Sequence, residues 1–187
     1  PTLQSSPVPA PLLKQFSFEG NQITRTLPDG AAVQFNGHTA PVNGLTLDRG
    51  GTYLVSTAND QQIKLWNAQS GQELATIMVF EDDDVLVQNP EGYYWSTQGL
   101  VHTLSFTLGS NSYALEEYDI YFNRPDKILA SFPYGDTSLI RIYKKAYDKR
   151  VQKMANGKLD WDFTKALPQV RFMDTSKIPH ETSDTTL

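Results

Sequence analysis

The amino-acid sequence predicts a mainly β protein made of antiparallel four-stranded units, followed by a C-terminal helical connector of two helices. Short runs of alternating apolar and polar residues, separated by Gly, Asn and Asp turns, recur about every 40 residues as far as residue 119. Beyond residue 123 the apolar residues are instead spaced three or four apart, which is typical of helices. These two patterns define the fold class.

Composition excludes several classes of function. The chain has 187 residues, with 16 Lys+Arg against 21 Asp+Glu and a net charge of −5. This charge disfavours general nucleic-acid binding, which needs a positive surface. No cysteine is present, so disulfides, thiolate catalysis and cysteine-ligated zinc are excluded. No apolar run is long enough for a membrane-spanning helix. The sequence predicts no metal site, cofactor or catalytic residue.

Three partial copies of one unit span roughly residues 16–118. Residues 22–25 align with residues 62–65, and three further pairs share the spacing of 40. These pairs are Tyr53 and Tyr93, Ser56 and Ser96, and Thr57 and Thr97. The period matches a four-stranded propeller blade of about 40–45 residues. We therefore expect propeller-type blades.

The middle copy is the clearest and the third is degenerate. The middle copy predicts strands at residues 42–47, 53–57, 63–67 and 73–79, each followed by a turn. The third copy predicts a separate, irregular blade, with strands at residues 85–87, 92–96, 103–106 and 113–115. About two and a half blades are visible, whereas propellers close with four to eight. The sequence therefore predicts an incomplete propeller.

A histidine, a serine, an aspartate and a tryptophan stand at fixed places in the middle copy. They are His38 after Gly37, Ser56 in the second strand, Asp60 in the next turn and Trp66 in the third strand. This arrangement resembles the WD-repeat family of β-propellers, and the resemblance implies a buried structural tetrad of hydrogen bonds. Asn67 replaces the aspartate of the dipeptide that names the family. A hydrolase triad of Ser, His and Asp is the alternative, but the spacing favours the blade.

Two helices are predicted after the strands. Pro125 favours a helix start ahead of residues 127–132, and Asp136 or Thr137 can cap a longer helix that ends near residue 155. The longer helix has an apolar stripe comprising Leu139, Ile140, Tyr143, Ala146, Tyr147, Val151 and Met154. Its opposite, basic face comprises Lys144, Lys145, Lys149, Arg150 and Lys153. We expect this face to be solvated, and contact with acidic partners or nucleic acid is the alternative.

A second resemblance covers roughly residues 20–187. The segments at residues 92–94, 115–119, 121–126 and 167–170 resemble the end of the WD-repeat region in bacterial caspase-like proteins of the Bacteroidetes type. In that family the peptidase domain lies downstream and acts through a His/Cys dyad. Because this chain has no cysteine, no catalytic residue is carried over. The resemblance implies a rigid platform for protein contacts and a connector to an effector domain.

These observations divide the chain into four parts. Residues 1–14 are predicted to be a linker or edge segment, residues 15–119 propeller blades, residues 120–166 a helical connector, and residues 167–187 the truncated start of a following β domain. Because two and a half blades leave open sheet edges, we expect further copies or another chain to complete the propeller. The sequence leaves the compartment open; it slightly favours the cytoplasm and allows export if a signal peptide has been removed.

Three functions are compatible with this organisation. The first is a non-catalytic protein–protein interaction scaffold within a larger bacterial protein. The alternatives are a regulatory segment of a caspase-like cysteine peptidase and a structural subunit of a larger assembly.

An acidic loop is a candidate contact or Ca²⁺ loop and comprises Glu81, Asp82, Asp83 and Asp84. A solvated turn between blades is favoured, because the loop lacks the spaced oxygen ligands of known calcium loops.

Overall fold

The computed structural model describes residues 10–80, 83–100, 105–108 and 111–155. Within these ranges the strands lie in antiparallel sheets of six, three and two strands, and all α-helices but one short helix lie at the C-terminal end. A short 3-10 helix (Gln98–Leu100) follows the six-stranded sheet. The predicted fold class, mainly β with helices after the strands, is confirmed. The predicted strand at residues 167–170 and most of the 1–14 segment lie outside the described residues.

The N-terminal part forms a three-stranded sheet. A short helix, α1 (Ala10–Leu13), precedes strands β1 (Phe16–Glu19), β2 (Gln22–Thr26) and β3 (Ala32–Phe35), which pair in that order. Hairpin turns join the strands, the first through Gly20, whose φ of +56° suits a residue without Cβ. Ile23 of β2 lies opposite Phe35 of β3, and both side chains are fully buried. One face of this small sheet is therefore apolar.

The largest sheet is a six-stranded meander. Its strands are β4 (Val42–Leu47), β5 (Tyr53–Ala58), β6 (Gln62–Asn67), β7 (Glu73–Val79), β8 (Val85–Gln88) and β9 (Tyr94–Ser96). Each strand pairs with the next one along the chain because short turns favour antiparallel neighbours. The first four strands lie within one residue of the strands predicted for the middle copy, so that prediction is confirmed.

The prediction of a separate third blade is wrong. Strands β8 and β9 continue the sheet of the middle copy, and β8 pairs with β7 with Val79 opposite Val85. The connection is a short hairpin closed by the bond from Phe80 N–H to the Asp84 carbonyl, 2.8 Å long. Such a short connection keeps both strands in one sheet. Strands β10 (Ser105–Leu108) and β11 (Asn111–Ala114) form a separate two-stranded hairpin.

Three helices follow the last hairpin. Helix α2 (Leu115–Phe122) begins where the sequence predicted the end of a strand, so the helical part starts earlier than expected. Helix α3 (Pro125–Ser131) has proline in its first turn, and α4 (Thr137–Ala155) follows after a break. Asp136 caps α4, because its Oδ1 accepts hydrogen bonds from the N–H groups of Ser138 and Leu139 at 2.7 and 3.2 Å. The predicted starts of α3 and α4 are confirmed.

The six-stranded sheet is covered on both faces. One face packs on the three-stranded sheet through Ile23, Phe35, Val42, Leu47, Leu54, Ala58, Trp66 and Ala68. The other face packs on α3 through Leu65, Ala75, Val87 and Ile128. Adjacent residues of β6 enter the two clusters because side chains alternate along a strand. No helix in the described part of the chain is long and apolar enough to cross a membrane.

Candidate functional site

Four of the predicted site residues meet at one side of strands β5 and β6. His38 lies in the loop between β3 and β4, and Ser56 lies in β5. Asp60 lies in the turn after β5, where Gln61 adopts a φ of 62°. Trp66 lies in β6, opposite Leu54. The antiparallel pairing of β5 and β6 places Ser56 and Trp66 on the same face, and the loop brings His38 over them.

These side chains form a continuous chain of hydrogen bonds. His38 Nδ1 lies 2.9 Å from Asp60 Oδ2, and His38 Nε2 lies 2.7 Å from Ser56 Oγ. Trp66 donates from Nε1 to the same Ser56 Oγ at 2.8 Å. All bonds are satisfied when the His38 proton is on Nδ1 and the Ser56 hydroxyl donates to Nε2. The four residues of the predicted tetrad are thus brought together, and their structural role stays a prediction.

The order Asp, His and Ser is also that of a hydrolase triad. The environment of Ser56 disfavours catalysis, because Ser56 is 0% exposed and Trp66 is 0% exposed above it. The Trp66 N–H occupies a lone pair of Ser56 Oγ, and this withdraws electron density from the atom that would attack a substrate. A nucleophile has to reach a substrate carbonyl. The arrangement is therefore suited to holding strands together.

Asp60 carries the charge of the network. Burial alone would raise the pKa of its carboxyl group, but hydrogen bonds from Thr39 N–H, His38 and Gln62 N–H outweigh burial and lower the pKa below its ordinary value. The bonds from the Thr39 and Gln62 backbone are each 3.0 Å long. Since the pKa is lower in the folded chain than in the unfolded chain, ionised Asp60 stabilises the fold above pH 4 or so. This stabilisation is lost as the pH falls through the folded-state pKa.

Replacing Asp60 by asparagine is expected to lower the free energy of unfolding at pH 7 by about 1–3 kcal/mol, because bonds to a charged acceptor are lost. The difference between the variant and the wild type should shrink as the pH falls from about 4, the ordinary pKa of aspartate, through the lower folded-state pKa of Asp60. Urea unfolding at several pH values measures both effects. Asp148→Asn is the control, because that carboxylate is 57% exposed. A difference between Asp60→Asn and wild type that is constant down to pH 2 would contradict the assignment.

A second buried polar group, which the sequence did not reveal, lies beside Trp66. Lys64 is 5% exposed, and its Nζ donates to both Glu73 oxygens at 3.0 Å and to Thr76 Oγ1 at 2.7 Å. A Cβ on Gly37 would lie 2.7 Å from Glu73 Oε2 and 3.0 Å from the Trp66 ring, so a side chain before His38 would displace the Glu73 carboxylate. The available signal was the alternation of β6, which puts Lys64 on the same face as Trp66.

The helical part is attached to the sheet by an ionic network around Asp119 of α2. Arg150 of α4 donates from Nη1 to Asp119 Oδ2 and from Nη2 to the Asp119 carbonyl, both at 2.8 Å. Tyr94 of β9 and Asn123 donate to Asp119 Oδ1 at 3.0 and 2.7 Å. Burial and the Asp119 carboxylate raise the pKa of the Tyr94 hydroxyl far above its ordinary value, so Tyr94 acts as a donor.

Arg150 therefore corrects the prediction of a wholly solvated basic face. Arg150 points towards the sheet, whereas Lys144 pairs with exposed Asp148 at 2.8 Å. The apolar stripe of α4 is also only partly covered, since Val151 is buried while Met154 is 68% exposed. Helical spacing predicted the two faces of α4, but it did not predict that Arg150 forms an ion pair with Asp119. The signal lay in Asp119, the last residue of the region predicted to form propeller blades, which the structure places in α2.

Arg124 and Asp126 form a second ion pair at the start of α3. Arg124 Nη2 lies 2.8 Å from Asp126 Oδ2, and the guanidinium stacks 3.8 Å from the centre of the Tyr147 ring. The bond to Asp126 raises the pKa of Arg124. Burial would raise the pKa of Asp126, but its bonds to Arg124 lower it. This pair joins the two helices α3 and α4 at the junction with the sheet.

The acidic loop is only partly described. Glu81 and Asp82 lie outside the described residues, and Asp83 is exposed with a φ of 61°. Asp84 Oδ1 accepts a hydrogen bond from Thr97 Oγ1, so this carboxylate links the residue before β8 to the residue after β9. In the described part of the chain, no group of three or more His, Cys, Asp or Glu side chains could hold a metal ion. A contact role for the loop stays a prediction.

Comparison with known proteins supports the repeat. Residues 31–67 match the family model described as WD domain, G-beta repeat. This segment runs from β3 to the end of β6 and contains the His38, Ser56, Asp60 and Trp66 network. The sequence-based resemblance to WD repeats is thus supported for one repeat unit.

Two relatives match parts of the chain. The ribosome biogenesis protein ERB1 of Candida glabrata is 22% identical over 91 residues, which is 49% of this chain and 11% of that protein. The COMPASS component SWD3 of Saccharomyces cerevisiae is 39% identical over 61 residues, which is 33% of this chain and 19% of that protein. The chain therefore spans less than a fifth of either relative. These matches do not bear on the narrower resemblance to bacterial caspase-like proteins, which stays a prediction.

Proposed function

We propose that this chain is a non-catalytic protein–protein interaction scaffold. The observation that carries the proposal is the buried network of His38, Ser56, Asp60 and Trp66 within the segment that matches a WD repeat. Its hydrogen bonds are used to join strands, which leaves none of these residues available to a substrate. A rigid sheet of this kind positions surface loops for contacts with other proteins.

The open sheet edges support a role in assembly. Strand β1 pairs only with β2, and β4 pairs only with β5, so each presents an edge in the described part of the chain. Unpaired edges are a template for a further strand. Further copies of the chain or a different chain would complete the propeller, as proposed from the repeat count. The two relatives, a ribosome biogenesis protein and a COMPASS component, agree with a role within larger complexes.

A regulatory segment of a larger caspase-like peptidase of bacterial origin is a second proposal. The junction residues quoted for that resemblance include Asn123, Arg124 and Asp126, which connect the sheet to α3 and α4. In that role the helices would transmit the position of the sheet to an effector domain. The peptidase itself would have to lie outside this cysteine-free chain.

A peptidase assay on the purified chain tests the non-catalytic proposal. We expect no turnover of fluorogenic peptides with varied residues at the cleavage position, whereas cleavage by the purified chain would contradict a pure scaffold. Static light scattering at several concentrations tests assembly. A mass that rises with concentration above the 21.0 kDa of one chain would support assembly from further copies. A strictly monodisperse monomer would count against self-assembly and leave completion by a different chain.

A further inference from the structure

We propose that the groove between the six-stranded sheet and helices α3 and α4 binds an acidic peptide of a partner protein. The peptide would place a large apolar side chain in one half of the groove and an adjoining carboxylate in the other. This inference rests on the proposed scaffold function and names its contact surface.

One half of the groove is apolar. It is a cavity of about 260 Å³ between the sheet and both helices. Its walls include Val87, Trp95, Ile128, Leu129, Phe132 and Leu139. Although Val87 and Ile128 belong to the core, Leu139 is 43% exposed, so the cavity opens to solvent at α4. This volume is below that of a drug-sized site and suits a single large side chain.

The other half is polar and adjoins the first. It is a cavity of about 240 Å³, and the two cavities share Trp95, Pro125 and Tyr143 as walls. Its own walls include Ser96 at the end of β9 and Arg150 of α4. Because the cavities share walls, the apolar and polar groups of one ligand must be close neighbours along its chain.

Two buried donors in this polar half have no hydrogen-bond partner. They are Ser96 Oγ and Arg150 Nε. Arg150 is held by its other two nitrogen atoms on Asp119, so the Nε–H direction is fixed. Ser96 stands 40 residues after Ser56, but the degenerate third copy lacks the Gly-His pair and the third-strand tryptophan of the middle copy. Buried donors are normally satisfied, and a carboxylate has two acceptor oxygens.

The Arg150 guanidinium favours a carboxylate over a neutral acceptor. Arg150 is the one charged side chain among the described walls of the two cavities, and the lysines of α4 do not line them. Although Asp119 pairs with Arg150 Nη1, the Arg150 Nε–H has no hydrogen-bond partner. A carboxylate on this N–H would accept a charge-assisted hydrogen bond, which is stronger than a bond to a neutral acceptor.

Access to the two donors requires a small movement of the rim. Both atoms are shielded from water behind the groove surface. Tyr143 is 38% exposed and contributes to both cavities. No hydrogen bond restrains its hydroxyl in the described part of the chain. In the proposed complex this ring would rotate to admit the carboxylate.

The probe is N-acetyl-leucyl-aspartyl amide, titrated through the millimolar range into the full chain labelled with ¹⁵N. We expect saturable NMR shifts of the Trp95 indole N–H and the Arg150 Nε–H. The matched probe with asparagine in place of aspartate should bind at least fivefold more weakly. Absence of saturable shifts with the aspartyl probe, or equal binding of both probes, would overturn the proposal.

Single substitutions in α4 and β9 test whether the probe binds in the groove. Leu139→Ala should weaken the aspartyl probe at least fivefold, whereas Ile142→Ala, on the same helix but outside both cavities and 61% exposed, should change it less than twofold. Ser96→Ala should weaken binding at least threefold. Equal effects of Leu139→Ala and Ile142→Ala would overturn the proposal. Loss of probe binding in a chain that still assembles and has no peptidase activity would refute this groove alone, whereas peptidase turnover would refute the scaffold function itself.

Discussion

Replacing Ser56 by alanine is expected to lower the free energy of unfolding by about 2–5 kcal/mol, since two buried groups each lose their partner. His38 Nε2 and Trp66 Nε1 both bond to Ser56 Oγ, at 2.7 and 2.8 Å. With Ser56 0% exposed, water cannot replace the hydroxyl without opening the sheet. Urea unfolding followed by far-ultraviolet circular dichroism measures the change.

Ser96→Ala is the matched control for this substitution. Ser96 occupies the equivalent repeat position, but its hydroxyl is buried without a hydrogen-bond partner. Its removal is therefore expected to be neutral or to stabilise the fold by up to about 1 kcal/mol. Equal losses for the two serines would show that strand burial, rather than the network, determines the cost at Ser56.

Replacing Trp66 by alanine is expected to cost about 3–5 kcal/mol, because a large buried side chain leaves a cavity between the two sheets. The Trp66 ring is fully buried and meets the Phe35 ring edge to face, with centres 5.9 Å apart. This contact joins the three-stranded sheet to the six-stranded sheet. The same urea unfolding experiment reports the loss, provided that the variant folds.

Trp66→Phe keeps the test informative if the alanine variant does not fold. Phenylalanine retains much of the buried ring but has no N–H for Ser56 Oγ, so the expected loss is smaller, about 1–3 kcal/mol. Combining Trp66→Phe with Ser56→Ala should cost less than the sum of the single losses, because both remove the same bond. Strict additivity would contradict a direct Ser56–Trp66 interaction.

The middle repeat was predictable because local signals agree there. Alternating apolar residues and tight turns define β4 to β7, and the resemblance to WD repeats implied that His38, Ser56, Asp60 and Trp66 meet. The Glu73 contact of Lys64 was not predictable in the same way. Alternation places Lys64 on the same face as Trp66, but the burial of its charge depends on a carboxylate from the next strand.

The third copy shows where the sequence signal ends. Its apolar alternation located β8 and β9 but did not indicate that they extend the preceding sheet, because sheet membership depends on the pairing of β8 with β7 and the bond from Phe80 N–H to the Asp84 carbonyl. The polar half of the groove was equally hidden. It arises only when Arg150 is drawn to Asp119 across 31 positions of the chain, a long-range contact that helical periodicity does not encode.

We predict that the His38–Ser56–Asp60 set is a structural network in an interaction scaffold and not a hydrolytic triad. Incubation of the native chain with a serine-reactive fluorophosphonate, followed by peptide mass spectrometry, distinguishes the two. No adduct on Ser56 is expected, because the hydroxyl is buried and bonded by Trp66. An adduct on Ser56 of the folded chain that disappears in a His38→Ala variant would instead identify a hydrolytic triad.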